Sequence, residues 1–305
     1  MNFSASSSRL WLLAIRPKTL PAAVAPVLVG GAVALDQGAF QLWTLFVCLL
    51  FALIMQIGAN LANDYFDWKR GIDSGERLGP KRFCQSGLIA PQRMRRAMLL
   101  CFSVAALLLP MLIVQGGWPV IAMGLVAITA ALAYSGGPYP LASHALGELA
   151  AFVFFGLMAV GGSALIISGH YSGLAFIAAI PPGLLIAAIM LVNNVRDRET
   201  DAAIGKRTLA VVLGRRKSIA LYRALLLCAF VTPLAMSIER GPFLCLPLLC
   251  LPSAWRLWRD IETWRGARLN ELLAATALLT LAHSLFLAVG IILSRMTGPG
   301  QLASY

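Results

Sequence analysis

Leu191–Gly214 reads LVNNVRDRETDAAIGKRTLAVVLG. It starts inside an apolar run and ends among cations, so a hydrophobic helix here gives way directly to a charged end. Asp197 and Asp201 are four residues apart and Asn193 stands one turn earlier, which places all three on one face of a helix. Gly205, Lys206 and Arg207 follow. An earlier stretch, Asn60–Arg82, is built the same way: NLANDYFDWKRGIDSGERLGPKR. There Asn60, Asn63, Asp64 and Asp67 stand at i, i+3, i+4 and i+7, and Asp73 lies just past Gly71. Both stretches end a hydrophobic helix, and both trail Lys and Arg.

Of the 305 residues, 59% are hydrophobic and 12% are charged. Soluble domains carry about 25% charged residues, so the chain reads as an all-α integral membrane protein. A length prior for soluble domains does not apply to such a bundle, and residues 1–305 read as one polytopic domain. The net charge of +12 would suit nucleic acid, but the cations lie in short loops between apolar runs, where membrane topology accounts for them. Neither nucleic acid nor an obligate protein partner is indicated. Cys48, Cys84, Cys101, Cys228, Cys245 and Cys250 show no metal-ligand or disulfide-framework spacing. Met1–Lys18 is short and polar, with Arg9, Arg16 and Lys18, unlike a cleavable signal or transit peptide.

A bilayer core takes about 20 apolar residues per helix. Nine candidate spans follow, near 19–37, 43–66, 97–115, 118–135, 147–168, 173–195, 218–238, 241–258 and 271–294. The eighth is interrupted by Pro242, Pro247 and Pro252, which membrane helices tolerate. The N-terminal segment and the loops after spans two, six and eight, with the helix ends beside them, hold 23 of the 25 Lys and Arg; Arg240 and Arg295 fall on the other side. Positive charge marks the cytoplasmic side of a bacterial inner membrane. The N-terminus and both acidic stretches are thus expected in the cytoplasm, and an odd number of spans leaves the C-terminus outside. Asp64 and Asp197 are 133 residues apart (197 − 64), and each ends the second span of a four-span block. Two parallel four-helix repeats plus a ninth helix would bring the acidic ends together across one central cavity.

Carboxylates near membrane depth are costly and mark functional sites. Asp64, Asp67, Asp197 and Asp201 could instead neutralise neighbouring cations at the membrane surface, but two clusters on helix-compatible spacing speak for a site. Carboxylates beside amides make a hard oxygen set suited to Mg2+, which takes one or two carboxylates plus phosphate oxygens. No His or Cys accompanies them, which speaks against zinc or copper. Carboxylates holding Mg2+, flanked by Arg77, Lys81, Arg82, Lys206 and Arg207, would bind a diphosphate and stabilise its charge on departure. Topology is the better account of Lys69, Arg70, Arg215, Arg216 and Lys217. A phosphate-binding P-loop is excluded, because its first glycine is missing and Arg207 separates Lys206 from Thr208.

A diphosphate inside an apolar bundle implies a lipid tail. The residues therefore read as an intramembrane enzyme that ionises the carbon–oxygen bond of a polyprenyl diphosphate. A transporter is the reading from another class. Its sites would lie near the midplane, whereas these clusters sit at helix ends on one side.

NDYFDWKRGID (Asn63–Asp73) resembles the first acidic motif of the UbiA prenyltransferase superfamily, and NNVRDRETDAAIGKRTLAVVLG (Asn193–Gly214) resembles the second. RPKTLPAAVAPVLVG (Arg16–Gly30) and YSGGPYPLASHALGEL (Tyr134–Leu149) resemble the branch that prenylates 1,4-dihydroxy-2-naphthoate in menaquinone synthesis. The segment Ala142–Ala145 departs from that pattern, which expects a more aromatic or basic sequence there. The resemblance runs from Arg16 to about Gly214. It implies a nine-helix bundle with its site open to cytoplasm and lipid. It also implies that Asn60, Asp64, Asp67, Asp197 and Asp201 hold Mg2+ against the diphosphate. Asn63, Asp73, Arg77, Lys81, Arg82, Asn193 and Lys206 are the other diphosphate-side candidates. The implied reaction is decarboxylative prenylation giving demethylmenaquinone, with 4-hydroxybenzoate, haem or chlorophyllide as alternative acceptors.

Tyr134 either stabilises an allylic cation with its ring or anchors a helix at the interface. Arg16 and Lys18 are candidates for binding the acidic acceptor, or serve to orient the first helix. Glu148 is an active-site carboxylate or an acid in a helix's first turn, and His283 reads as a packing residue.

Overall fold

The computed structural model describes residues 7–71 and 78–297, so Asp73 and Arg77 lie outside the described residues. Regular structure among the described residues is helical. In chain order the helices are α1 (Ser7–Ile15), α2 (Pro21–Asp36), α3 (Leu42–Lys69), α4 (Pro91–Gly116), α5 (Pro119–Ser135), α6 (Gly147–Ala151), α7 (Ala159–Ser168), α8 (Gly173–Arg196), α9 (Arg198–Ala203), α10 (Leu209–Arg240), α11 (Leu251–Thr263) and α12 (Leu269–Thr297). A π-helical segment, Phe152–Met158, joins α6 to α7 in one continuous rod. Proline opens α2, α4 and α5, where the missing amide hydrogen would have had no partner in any case.

Each expected span has a helical counterpart, but the count of nine is not reached on length and composition. Among the described residues, six helices are long and apolar enough to cross a bilayer. The pair Ser7–Thr19 and Pro21–Asp36, bent by 51°, makes a seventh if it counts as one span, and Pro119–Ser135 falls among the shorter apolar helices. The expected eighth span starts as a 3-10 segment, Pro242–Cys250, and continues as α11 with Arg256, Arg259 and Asp260. Prolines and charges together deny it one uninterrupted apolar helix.

In its most apolar window α8 is 72% buried, against 22% for α3. Helix α8 is therefore the centre of the bundle, and α3 turns much of its surface to lipid. Apolar contact between helices gains little over contact with acyl chains, so close packing of small residues holds such a bundle together. Helix α2 follows that rule: Ala22, Ala23, Ala25, Ala32 and Ala34 are all buried, and the helix packs on α7 and α12. Helix α3 packs most extensively against α4, and α8 against α10. These are equivalent pairs in the two four-span blocks. At the far end of the bundle, Arg240 pairs with Asp36 at 2.9 Å and Arg295 donates to the Leu35 carbonyl. The two basic residues set apart by sequence thus meet at one end of α2.

Candidate active site

The ends of α3 and α8 open on a cavity of about 330 Å3. Its polar end is lined by Arg16, Thr19, Asn60, Asn63, Asp67 and Arg82 on one side, with Tyr134 and Ser135 beside them. Asn193, Asn194, Arg196 and Lys206 face them from the other acidic stretch. Farther in, Val27, Cys48, Leu112, Val120 and Ile166 make the lining apolar.

The first wall is the last two turns of α3. Asn60 is buried and donates through Nδ2 to the Ile15 carbonyl (2.8 Å) and to Thr19 Oγ1 (3.0 Å). This ties the turn carrying Arg16 to α3. Asn63 accepts a hydrogen bond from Ser135 Oγ. Asp67 pairs with Arg70 at 3.1 Å and with buried Arg82. Asp64 points away from the cavity. Its two oxygens accept the backbone N–H groups of Phe83 and Cys84, both at 2.9 Å. Burial and the neighbouring Asp64 carboxylate push the Cys84 thiol up to about 12. The loop after α3 is thereby folded back onto the helix that precedes it, and this puts Arg82 beside Asp67.

The second wall begins where α8 stops. Asp197 leaves the helical conformation (φ −92, ψ 5), and α9 restarts one residue later. Arg196 grips Asp197 with two bonds, Nε to Oδ1 at 2.8 Å and Nη2 to Oδ2 at 2.6 Å. It also donates to Asn193 Oδ1 and Asn270 Oδ1, each at 2.7 Å. Asp201 is buried and lies 3.4 Å from Lys206 Nζ. Gly205 adopts φ 73, a left-handed turn that glycine enters without cost, and the Lys206 N–H then donates to the Asp201 carbonyl at 2.8 Å. This turn brings Lys206 to the cavity.

The segment between α5 and α6 closes the gap between the walls. The Arg207 N–H donates to the Ser143 carbonyl at 3.1 Å, and His144 stacks on Tyr139 with ring centroids 3.5 Å apart. Ser143 and His144 both belong to Ala142–Ala145. The Tyr134 hydroxyl donates to Met190 Sδ at 3.0 Å. Glu148 is buried and accepts from Asn194 Nδ2 at 2.8 Å, so it supports a cavity-lining amide from behind.

Of the residues singled out by sequence, the cavity gathers Arg16, Asn60, Asn63, Asp67, Arg82, Tyr134, Asn193 and Lys206. Asp64, Asp197 and Asp201 stand behind its lining, while Lys18 and Lys81 are exposed. Among the described residues, no three His, Cys, Asp or Glu side chains gather around one ion position. His283 is fully buried and meets the Phe230 ring edge-on at 4.9 Å. Sequence reading missed Arg196, which looked like one more cytoplasmic cation, and Asn194, Ser135 and Asn270. The adjacency of Arg196 to Asp197 was the available signal for the first. Nothing local marks Asn270.

The chain is 35% identical over 280 residues to the 1,4-dihydroxy-2-naphthoate octaprenyltransferase of Mycobacterium tuberculosis, covering 91% of this chain and 95% of that one. It is 35% identical over 259 residues to the Escherichia coli protein of the same name, covering 83% and 80%. The fold matches that of a UbiA homologue from Archaeoglobus fulgidus bound to DMAPP and Mg2+, with TM-score 0.64 and 14% identity over 92% of this chain and 99% of that one. It also matches the apo UbiA homologue from Aeropyrum pernix K1, with TM-score 0.68 and 17% identity over 89% and 97%. Residues 23–280, which span both acidic stretches and nearly all of the bundle, match the sequence profile of one family, and the chain belongs to that UbiA prenyltransferase family.

Proposed function

We propose that this membrane enzyme transfers a polyprenyl group from a polyprenyl diphosphate to 1,4-dihydroxy-2-naphthoate, with loss of CO2 and diphosphate, giving demethylmenaquinone. The observation that carries the reading is one cavity shared by both acidic stretches. Two acidic stretches 133 residues apart (197 − 64) contribute amides, a carboxylate and cations to its polar end, and the rest is apolar. That division suits a substrate with a diphosphate head and a hydrocarbon tail. Relatives at 29–35% identity over most of the chain carry the naphthoate octaprenyltransferase name, which favours the naphthoate over other acceptors.

The donor set fits Mg2+. All the candidate ligands are oxygens, and an ion completed by phosphate needs only one or two carboxylates from the protein rather than a three-acid cage. Asn60 and Asp67, which line the cavity, with Asp197 and Asp201 from the other stretch would hold it, whereas Asp64, expected from sequence to join them, spends both oxygens on the loop amides; the bound ion would offset negative charge on the departing diphosphate. Arg82, Lys206 and Arg196 are the cations that line the same end, and they bind and orient the diphosphate. As the carbon–oxygen bond breaks, its electron pair leaves with diphosphate. The Tyr134 ring faces the allylic cation, and the ring carbon bearing the carboxylate attacks it as CO2 departs. Arg16, on the cavity wall, would bind the acceptor's carboxylate. The cation-rich end faces the cytoplasm of a bacterial inner membrane, and the end with Arg240 and Arg295 faces outward.

Purified protein with Mg2+ and a polyprenyl diphosphate should release diphosphate when supplied with 1,4-dihydroxy-2-naphthoate. With 4-hydroxybenzoate side by side, the prenylated naphthol should dominate the products. Diphosphate release that needs 4-hydroxybenzoate instead would replace the acceptor, and none with any acceptor would sink the enzymatic reading.

A further inference from the structure

The two acidic stretches are joined by a contact that neither contains. We propose that Asn270, at the start of α12, is a positioning residue that clasps the loop that follows α3, within the first stretch, to the arginine of the second. The inference rests on the diphosphate reading of the cavity.

Arg196 is nearly enclosed, at 4% exposure. Three of its bonds stay within its own stretch, to Asp197 and Asn193, and the fourth goes to Asn270 Oδ1 at 2.7 Å. The same Asn270 side chain turns its Nδ2 to the Leu78 carbonyl at 2.8 Å. Leu78 is followed by Gly79, and Gly79 lies against the guanidinium. A Cβ built there would sit 2.6 Å from Nη2 and 2.9 Å from Cζ of Arg196, closer than any side chain can approach. Pro80 and Arg82, next along the loop, line the cavity, and Arg82 pairs with Asp67. A polar path therefore runs from Asp67 through Arg82 and the loop to Asn270, Arg196 and Asp197.

An amide suits this position for a physical reason. It offers an acceptor to a guanidinium and a donor to a carbonyl from two separate atoms, whereas an ionised carboxylate only accepts and a hydroxyl has one oxygen for both. Each end of the clasp serves the diphosphate. One end fixes the loop that delivers Arg82, and the other fixes the fork that holds Asp197. The acceptor need not touch either. Loosening the clasp therefore weakens diphosphate binding selectively.

The test is steady-state kinetics on the full chain in detergent or nanodiscs, with each substrate varied in turn. Asn270→Ala should raise the KM for polyprenyl diphosphate about tenfold, as expected for losing hydrogen bonds to a charged group, with the KM for the aromatic acceptor unchanged. Asn270→Asp keeps an acceptor for Arg196 and removes the donor to Leu78, and it should show the same selective rise. Gly79→Ala attacks the clasp from the loop side and should do likewise. Equal changes in both KM values, a fall in kcat alone, or wild-type kinetics in Asn270→Asp or Gly79→Ala would overturn the clasp. A wild-type protein that turns over no polyprenyl diphosphate would instead overturn the functional reading, and the clasp with it.

Discussion

Arg196 shows how one side chain can hold a site that it does not advertise. A guanidinium presents five donors in a fixed plane, and here that plane meets both Asp197 oxygens, Asn193 and Asn270. A lysine brings the same charge as a single point on a flexible stem and can meet only part of that set. Arg196→Lys should therefore lower kcat/KM for polyprenyl diphosphate about a hundredfold, corresponding to about 3 kcal/mol of lost orientation. Thermal stability in detergent should change far less, because the helix on either side is unaltered. Activity within threefold of wild type would show that charge alone suffices there. The sequence made Asp197 and Asp201 conspicuous and left Arg196 among the cations of membrane topology. Its partner Asn270 is 74 residues further on, so no local spacing could announce the role.

Among elements, the loop after α3 gives the two aspartates of that helix different surroundings. Helical spacing placed Asp64 and Asp67 on one face, a turn apart, and that much was legible. Which of them would face the cavity was not, because the answer depends on backbone amides at Phe83 and Cys84, near the end of the loop. Asp64 binds both amides from a site only 3% exposed. Asp64→Asn would set a side-chain NH2 against one backbone N–H and leave a buried donor without its acceptor, at a cost of about 1–3 kcal/mol. The expected outcome is a lowered melting temperature together with lost turnover, and faster proteolysis within the loop. Lost turnover with an unchanged melting temperature would mean that Asp64 acts only on substrate or metal. The eighth expected span carries the opposite lesson. Its prolines were visible, and the outcome is a 3-10 segment packed against α10 and α12, followed by a helix bearing Arg256, Arg259 and Asp260.

At the scale of the whole molecule, charge and packing agree on which end is which. The cavity's polar mouth, both acidic stretches and most of the cations share one end, while Arg240 and Arg295 meet Asp36 and Leu35 at the other. Translocating a Lys- or Arg-rich loop is unfavourable, so 23 of 25 basic residues at one end is the distribution expected if that end stays in the cytoplasm, as proposed above. This matters for the reaction, since both charged substrates must reach the cavity from the side where they occur. The six native cysteines can be replaced by serine or alanine to give a silent background. In that background Lys81→Cys reports on the cation-rich end and Tyr171→Cys, 73% exposed between α7 and α8, on the other. In intact cells a membrane-impermeant thiol reagent should label Tyr171→Cys directly, and Lys81→Cys only after the inner membrane is opened. The reverse pattern would place the diphosphate-binding mouth outside the cell, where the proposed reaction would have neither substrate at hand. The orientation is therefore part of the mechanism, and labelling tests both at once.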